Sequence, residues 1–460
     1  MPTIIDDIKK YNTIHFIGIG GVSMSGIAET LKNLGVHVTG SDWCQSEITD
    51  RLISDGIDVT IGSDLEKIKN ADLVVYTAAI SKDDLELVEA RRLNIKTCER
   101  AVFLGKLTEA FKDTIGVSGT HGKTTTTSLV ALCFIKAGFD PNVQVGAILK
   151  QLDGNYRIGN SDYLILEACE YVESFLHFHP KAEIVLNIDN DHLDYFKNID
   201  NIKNAFIKYV KLLPDDGLLV FNADDKNSVG LNRYTRAKSV TFGLENPDAN
   251  FTAKNIKFDK NGFATFDVYQ DGNFFDNFTL SISGMHNVLN ALACIALCTN
   301  YGIPTSAIKE AFSSFTGANR RLEYKGSFNN IDVYDDYAHH PTEIKATANA
   351  LNRKVFNESW VVFQPHTYSR LKNLLDDFAE ALLDFDHIIL TDVYAARETN
   401  VFNISSKDLA DKIISLGKPV QYIHDFETIV KFLKKSAHPE DVVLTLGAGT
   451  VTNIGPMLLK

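Results

Sequence analysis

Residues 114–130 read T-I-G-V-S-G-T-H-G-K-T-T-T-T-S-L-V, and no other stretch limits the fold as much. A short apolar run reaches Ser118, and a glycine-bracketed turn follows (Gly119, Thr120, His121, Gly122). Lys123, Thr124 and Thr125 then open a segment whose apolar positions Leu129, Leu132 and Cys133 recur at helical spacing. Strand, glycine turn and helix in immediate succession form a βα unit, which predicts an α/β fold with a parallel sheet. Glycines let the backbone approach phosphate oxygens, and N–H groups at a helix start favour an anion. Lys123 adds a mobile positive charge for the outer phosphates, and a threonine hydroxyl can ligate Mg²⁺. The spacing departs from G-x-x-x-x-G-K-[ST] at one place, since Val117 stands where the first glycine belongs. The alternative is a plain glycine-rich turn before a helix; the G-K-T-T core and its context favour a nucleotide.

A chain of 460 residues is too long for one hydrophobic core, so several domains are expected. Hydrophobic residues make up 45% and no 18 apolar residues run together, so no membrane span is predicted. The net charge of -13 argues against non-specific nucleic-acid binding, and any anionic substrate must be drawn by local basic groups or metal. The six cysteines are scattered without a CxxC pair, and most read as small core residues in a reducing compartment. The start, MPTIIDDIKKYN, carries acids and no cleavage signal, and a cytoplasmic location is expected.

Ahead of the phosphate loop, residues 13–17 form a short strand that runs into Gly18, Gly20, Gly21 and Ser23. A helix follows, with Ile27, Leu31 and Leu34 on one face, then a strand ending at Asp42. This is a βαβ opening with a glycine turn for a pyrophosphate and an acid placed to meet a ribose. The motif alone leaves NAD, FAD and a UDP-sugar open, and a tight turn in an ordinary α/β domain is the plainer reading. Beyond the phosphate loop, residues 163–166 and 183–188 read as strands leading to Glu167-Ala168-Cys169-Glu170 and to Asp189-Asn190-Asp191-His192. Ligands sit at such strand ends in open α/β sheets. Glu167 can supply an oxygen to Mg²⁺, and His192 a second cation or a phosphate contact.

Residues 238–282 alternate in short segments with Asn, Asp and Gly turns, which suggests antiparallel β decoration. His286, Asn287 and Asn290 open an apolar helix; amides there can read an adenine edge, though as residues alone they read better as caps. A segment ending in Arg320 and Arg321 leads into a second doubly wound α/β pattern. Its strands are placed at 331–334, 360–363, 388–391, 420–423 and 442–446, with one helix carrying Leu371, Leu374, Leu375, Phe378 and Leu382. Polar clusters at its strand ends hold His339 and His340, His366 and Arg370, and Arg397. The paired histidines lack zinc-ligand spacing, whereas Arg370 and Arg397 suit a carboxylate or phosphate gripped bidentately.

Eight motifs now stand in order: G-I-G-G-V-S-M-S-G-I-A, G-T-H-G-K-T-T-T-T, E-A-C-E, N-I-D-N-D-H-L-D, G-M-H-N-V-L-N-A, R-R, D-D-Y-A-H-H-P-T-E and F-Q-P-H-T-Y-S-R. Together they resemble the Mur ligases over essentially the whole chain. The resemblance implies three domains: 1–107, Rossmann-like, for the UDP-sugar; 108–317, a central P-loop ATPase domain; and 318–460, Rossmann-like, for the amino acid. It implies ATP-dependent joining of L-alanine to the carboxylate of UDP-N-acetylmuramate in peptidoglycan precursor synthesis, with ATP and Mg²⁺ required. By the same resemblance Lys123 is the phosphate lysine, and Thr124, Glu167 and His192 are magnesium ligands, directly or through water. His286, Asn287, Asn290 and Arg321 belong to the nucleotide side, and Gly18, Gly20, Gly21, Ser23 and Asp42 to the UDP-sugar. His339, His366 and Arg370 belong to the amino-acid and phosphate side, with Arg397 the next candidate. The chain departs from the family pattern at Cys169, where an aspartate is usual, at Ser23, in place of a third glycine, and slightly in its final loop, residues 447–450.

Overall fold

The computed structural model describes residue 8 and residues 10–460, apart from 78, 79 and 397. Contacts divide the chain into two compact units. The first holds residues up to Asn190 with Asn198–Phe251 and Ala293–Ala311; the second holds Asp191–Lys197, Thr252–Leu292 and Phe312–Lys460. Among the described residues no helix is long and apolar enough to cross a membrane.

The first unit opens on a five-stranded sheet of β1 (Thr13–Ile17), β2 (His37–Asp42), β3 (Asp58–Ile61), β4 (Leu73–Tyr76) and β5 (Lys96–Glu99), in the order β3-β2-β1-β4-β5. Every neighbouring pair is parallel. The apolar run of β1 buries Ile14 and Phe16 completely, and each such side chain contributes about 1.5–3 kcal/mol by leaving water.

Seven further strands follow in this unit: β6 (Asp113–Ser118), β7 (Asn142–Leu149), β8 (Gly154–Arg157), β9 (Tyr163–Glu167), β10 (Ala182–Val185), β11 (Leu218–Asn222) and β12 (Lys238–Gly243). Their order is β12-β11-β10-β6-β9-β7-β8. All pairs are parallel except β7 with β8. β6 lies inside this order, between β10 and β9, so its C-terminal end delivers the phosphate loop beside theirs. Two expectations change. β10 ends at Val185 rather than running to residue 188, because the chain beyond turns its backbone to the phosphate loop, with the Thr120 amide donating to Asn187 O. β12 pairs parallel with β11, so the antiparallel decoration begins after it.

The second unit contains β13 (Phe251–Phe258, all but its first residue), β14 (Phe263–Gln270) and β15 (Asn273–Ser283), hydrogen-bonded in that order, with β14 and β15 antiparallel. It also contains β16 (Glu323–Phe328), β17 (Ile331–Asp336), β18 (Ser359–Phe363), β19 (His387–Leu390), β20 (Val420–Tyr422) and β21 (Val442–Leu446), ordered β16-β17-β21-β18-β19-β20. Only β16 pairs antiparallel, at the edge; the sequence reading did not include it. Period-two alternation sends Val361 and Phe363 of β18 to one core, with Ile344, Phe378 and Leu382, and Trp360 and Val362 to another, with Ile429, Leu433 and Ile454. The helix expected through residues 371–382 is two helices, Tyr368–Asn373 and Leu375–Leu382, which meet at Leu374 (φ -123°, ψ 25°). Asp376 and Asp377 fall in the first turn of the second, where the helix dipole favours acids.

Candidate active site

The loop after β6 is built on two left-handed glycines. Gly119 (φ +132°) has no room for a Cβ, which would lie 2.9 Å from the Leu186 Cβ, and Gly122 (φ +88°) is the N-cap of the helix Lys123–Lys136. No side chain caps that helix, so its first N–H groups face the turn without a side-chain acceptor. The loop is clamped from the segment after β10. The His121 amide donates to Asn187 Oδ1 (2.8 Å), Asn187 Nδ2 donates back to the His121 carbonyl (3.0 Å), and the Asp189 amide donates to Thr120 Oγ1 (2.9 Å). The His121 ring meets Asp189 at 3.1 Å.

Lys123 Nζ donates to the carbonyls of Gly119 (2.6 Å) and Thr120 (3.2 Å) and to the carboxylate of Glu170 (2.9 and 3.2 Å). Burial alone would lower its pKa, but Glu170, Cys169 and Glu167 together outweigh it and push the ammonium above its ordinary range. Glu170 is almost wholly buried, so the two charges need one another. Glu167, the last residue of β9, accepts from the Gly146 amide (2.5 Å), and a Cβ at Gly146 would lie 2.6 Å from Glu167 Oε2. Thr124 and Thr125 follow Lys123 in the first turn of the helix, both buried.

At the N-terminal glycine turn, Gly18 (φ +81°) and Ile19 donate to the Ser41 carbonyl (2.8 and 3.0 Å). Asp42 accepts from the Gly20 amide (2.8 Å), so here the acid expected at a ribose braces the turn itself. Gly21 precedes the helix Val22–Asn33 as its N-cap. Ser23 stands where a third glycine would allow close helix packing, and its hydroxyl instead takes hydrogen bonds from Arg100 NH1 (3.0 Å) and Gln144 Nε2 (2.9 Å).

The second unit gathers another set. Arg370 donates from Nε (3.3 Å) and NH2 (2.9 Å) to Asp191 Oδ1, and from NH1 to His366 Nδ1 (2.9 Å). Since guanidinium has no acceptor, His366 Nδ1 must carry the lone pair. Burial, with His339 and Arg370 beside it, holds His366 down at about 3. Burial would raise Asp191, but Arg370 and the imidazoles of His192, His339 and His340 hold it well below the carboxylate range. His339 Nδ1 lies 3.0 Å from the Tyr337 carbonyl, which can only accept, so its Nε2 is the nitrogen left with a lone pair. Burial holds this imidazole at about 4. His192 itself adopts φ 53° as the residue before the short helix Leu193–Phe196.

His286 is likewise held at about 4, by burial and then by Arg321. Its ring occupies the place a side chain at Gly284 (φ +106°) would take, 2.5 Å from a Cβ there. Asn287 and Asn290 do not cap their helix, Met285–Asn300. Asn287 lies inside the first turn and donates to the Ser283 carbonyl (2.7 Å), while Asn290 donates to Asn287 Oδ1 (3.1 Å). Arg321 reaches Glu343 at 3.8 Å and lies over the Tyr337 ring. Its neighbour Arg320 is tied to Asp335 (3.1 Å) and the Gly447 carbonyl (2.5 Å). Arg397 lies outside the described residues.

Lys123, Thr124 and Glu167 therefore belong to the first unit, and His192, His339, His366 and Arg370 to the second. Reading by motif did not assign Glu170, Asn187 or Asp191. Each stands within a quoted motif, but the partner that explains it lies 47, 66 or 179 residues away.

Three family descriptions match in succession: Mur ligase family, catalytic domain, over residues 13–112; Mur ligase middle domain, over 117–298; and Mur ligase, glutamate ligase domain, over 320–449. The chain is 49% identical to a UDP-N-acetylmuramate--L-alanine ligase of Acetivibrio thermocellus, over 99% of this chain and 97% of that one. It is 47% identical to one of Clostridium beijerinckii, over 98% of each. A solved structure of UDP-N-acetylmuramate-alanine ligase from Thermotoga maritima is similar with a TM-score of 0.84 at 31% identity, covering 97% of this chain and 98% of that one. With relatives this similar from end to end, the chain belongs to the Mur ligase family.

Proposed function

We propose that this chain joins L-alanine to the carboxylate of UDP-N-acetylmuramate, with ATP cleaved to ADP and phosphate. The observation that carries the nucleotide half is Lys123, an ammonium held between Glu170 and two loop carbonyls at the start of a helix without a side-chain cap. The relatives named above, similar over their whole length, support the choice of sugar and amino acid. The proposed division gives 1–107 to the UDP-sugar, with Gly18, Gly20, Gly21, Ser23 and Asp42 at its turn. Residues 108–317 go to ATP and 318–460 to the amino acid.

A carboxylate is a poor electrophile, and its oxygen leaves badly at neutral pH. Attack of a carboxylate oxygen on the γ-phosphorus, with ADP leaving, makes an acyl phosphate. The amine then attacks the acyl carbon, and phosphate leaves. The first step brings anions together, so fixed positive charge and positioning supply most of the catalysis. Lys123 supplies the charge, and the amides of residues 122–125 at the helix start hold the phosphates in a loop shaped by Gly119, Thr120 and His121, with His286, Asn287, Asn290 and Arg321 on the rest of the nucleotide. Thr124 and Glu167 offer hard oxygen donors that suit magnesium, and Gly146 leaves the Glu167 carboxylate clear of a neighbouring side chain. His192 would be the third ligand, directly or through water. Magnesium, when bound, offsets phosphate charge.

His339 offers a neutral lone pair on Nε2, able to accept a hydrogen bond from the attacking amine. His366, Arg370 and Arg397 are assigned to the amino acid. Since Arg370 already grips Asp191 with two donors, a second carboxylate would have to compete for that fork.

The test is ADP release with UDP-N-acetylmuramate against a panel of amino acids and the murein tripeptide. Release with L-alanine is expected, weak release with glycine and serine, and none with D-alanine. Release with the tripeptide in preference to L-alanine would refute the reading. Substrate carrying ¹⁸O in its carboxylate should pass one label to the released phosphate.

A further inference from the structure

Three cysteines that the reaction does not use meet in the core of the first unit. Cys133 lies on the helix Lys123–Lys136, and Cys294 and Cys298 lie one turn apart on the helix Met285–Asn300. The Cys133 and Cys294 sulfurs are 3.6 Å apart, and those of Cys294 and Cys298 are 3.8 Å apart. All three sulfurs lie within 4.8 Å of one another, and all three residues are completely buried. No His, Asp or Glu among the described residues completes the group. Sulfurs around one ion at about 2.3 Å with tetrahedral angles stand roughly 3.8 Å apart, close to the two separations that Cys294 makes.

Charge selects the ion. Three thiolates carry three negative charges. A monovalent ion among them would leave a buried dianion and a divalent ion a buried monoanion, either of which is costly in a site without water. A trivalent ion leaves no net charge. We infer that Cys133, Cys294 and Cys298 form a binding site for a trivalent thiophilic metalloid of the arsenic(III) class. Arsenous acid would exchange its three hydroxyls for three sulfurs. Each As–O bond is replaced by an As–S bond, each thiol proton leaves with a hydroxide as water, and no electron is transferred. Loading requires the core to open transiently. Once filled, the site ties the helix that begins at the phosphate loop to its neighbour, so it is a point where a small soft toxicant can seize the nucleotide domain.

The probe is arsenite, incubated with the full chain in thiol-free, phosphine-reduced buffer and then removed by gel filtration. One arsenic per chain should be retained, with three sulfur neighbours by X-ray absorption and a melting temperature that rises with arsenite concentration. Cys294→Ala and, independently, Cys133→Ala should retain less than a tenth as much, while Cys44→Ala, at an exposed cysteine, should still retain one. The inference is overturned if wild-type chain retains none, if the arsenic has oxygen neighbours, or if both core variants retain it undiminished. The absorption spectrum of the wild type decides the matter even if a core variant does not fold.

Discussion

Replacing Lys123 with methionine separates the two tasks this side chain performs. Methionine keeps the length and removes the charge, so the Glu170 carboxylate, 2% exposed, loses its cation. A buried charge left alone costs about 3–5 kcal/mol. Lys123→Met should therefore unfold at markedly lower urea, with stability down by about 3–5 kcal/mol. The second change, Glu170→Gln, removes the stranded charge, and the double variant should regain most of that stability. Turnover should not return with it. Removing a fixed electrostatic donor to the transferring group costs about 2.7–4 kcal/mol, or 10²–10³-fold in kcat. The assays are urea unfolding followed by circular dichroism and coupled ADP release under saturating substrates. A double variant that recovers turnover along with stability would refute the reasoning, since Lys123 would then serve only to neutralise Glu170.

Three further outcomes are expected. Gly146→Ala places a methyl 2.6 Å from Glu167 Oε2, so the carboxylate must move, and the Mg²⁺ concentration for half-maximal activity should rise several-fold with little change in melting temperature; an unchanged requirement would remove Glu167 from the metal's neighbourhood. Arg370→Lys keeps one charge but cannot span Asp191 and His366 together, and it should raise the KM for L-alanine more than that for ATP; the reverse ranking would move Arg370 to the phosphate side. Burial raises the Glu29 carboxyl to about 7, against a lowering by Arg51, so the folded chain keeps a proton that the unfolded chain releases from 4.5 upward. Stability should therefore fall as pH rises from 4.5 to about 7, and the melting temperature of Glu29→Gln should fall less steeply over that window; equal slopes would exclude Glu29 as the cause.

Strands were legible where apolar, β-branched residues run without interruption. β1 and β21 fall at their expected limits because T-I-H-F-I and V-V-L-T-L are buried from both faces of a parallel sheet. Short, polar strands such as β5 (K-T-C-E) and β8 (G-N-Y-R) gave no such signal; both lie at sheet edges. The two glycine turns announced themselves because backbone at positive φ asks for glycine. Pairings made by the fold did not. Asp191 meets Arg370 across 179 residues and Cys133 meets Cys294 across 161, and no local spacing encodes either. Asp42 shows the same limit: its place at a strand end is legible, while the hydrogen bond that its carboxylate takes from the Gly20 amide is not.

The first turn of the helix Val22–Asn33 has a consequence for anyone who would treat the N-terminal sheet as a transplantable module. Asn155 Nδ2 donates to the Val22 carbonyl (2.6 Å), and Gln144 Nε2 donates to both the carbonyl and the hydroxyl of Ser23. These amides come from β7 and β8, beyond the phosphate loop in the chain. A fragment cut between the two sheets would lose these donors at the glycine turn proposed for the UDP-sugar. A chimera that grafts residues 1–107 onto a foreign partner would need Gln144 and Asn155 recreated there, and a screen of excised fragments should recover sugar-nucleotide binding only in those that extend through Arg157.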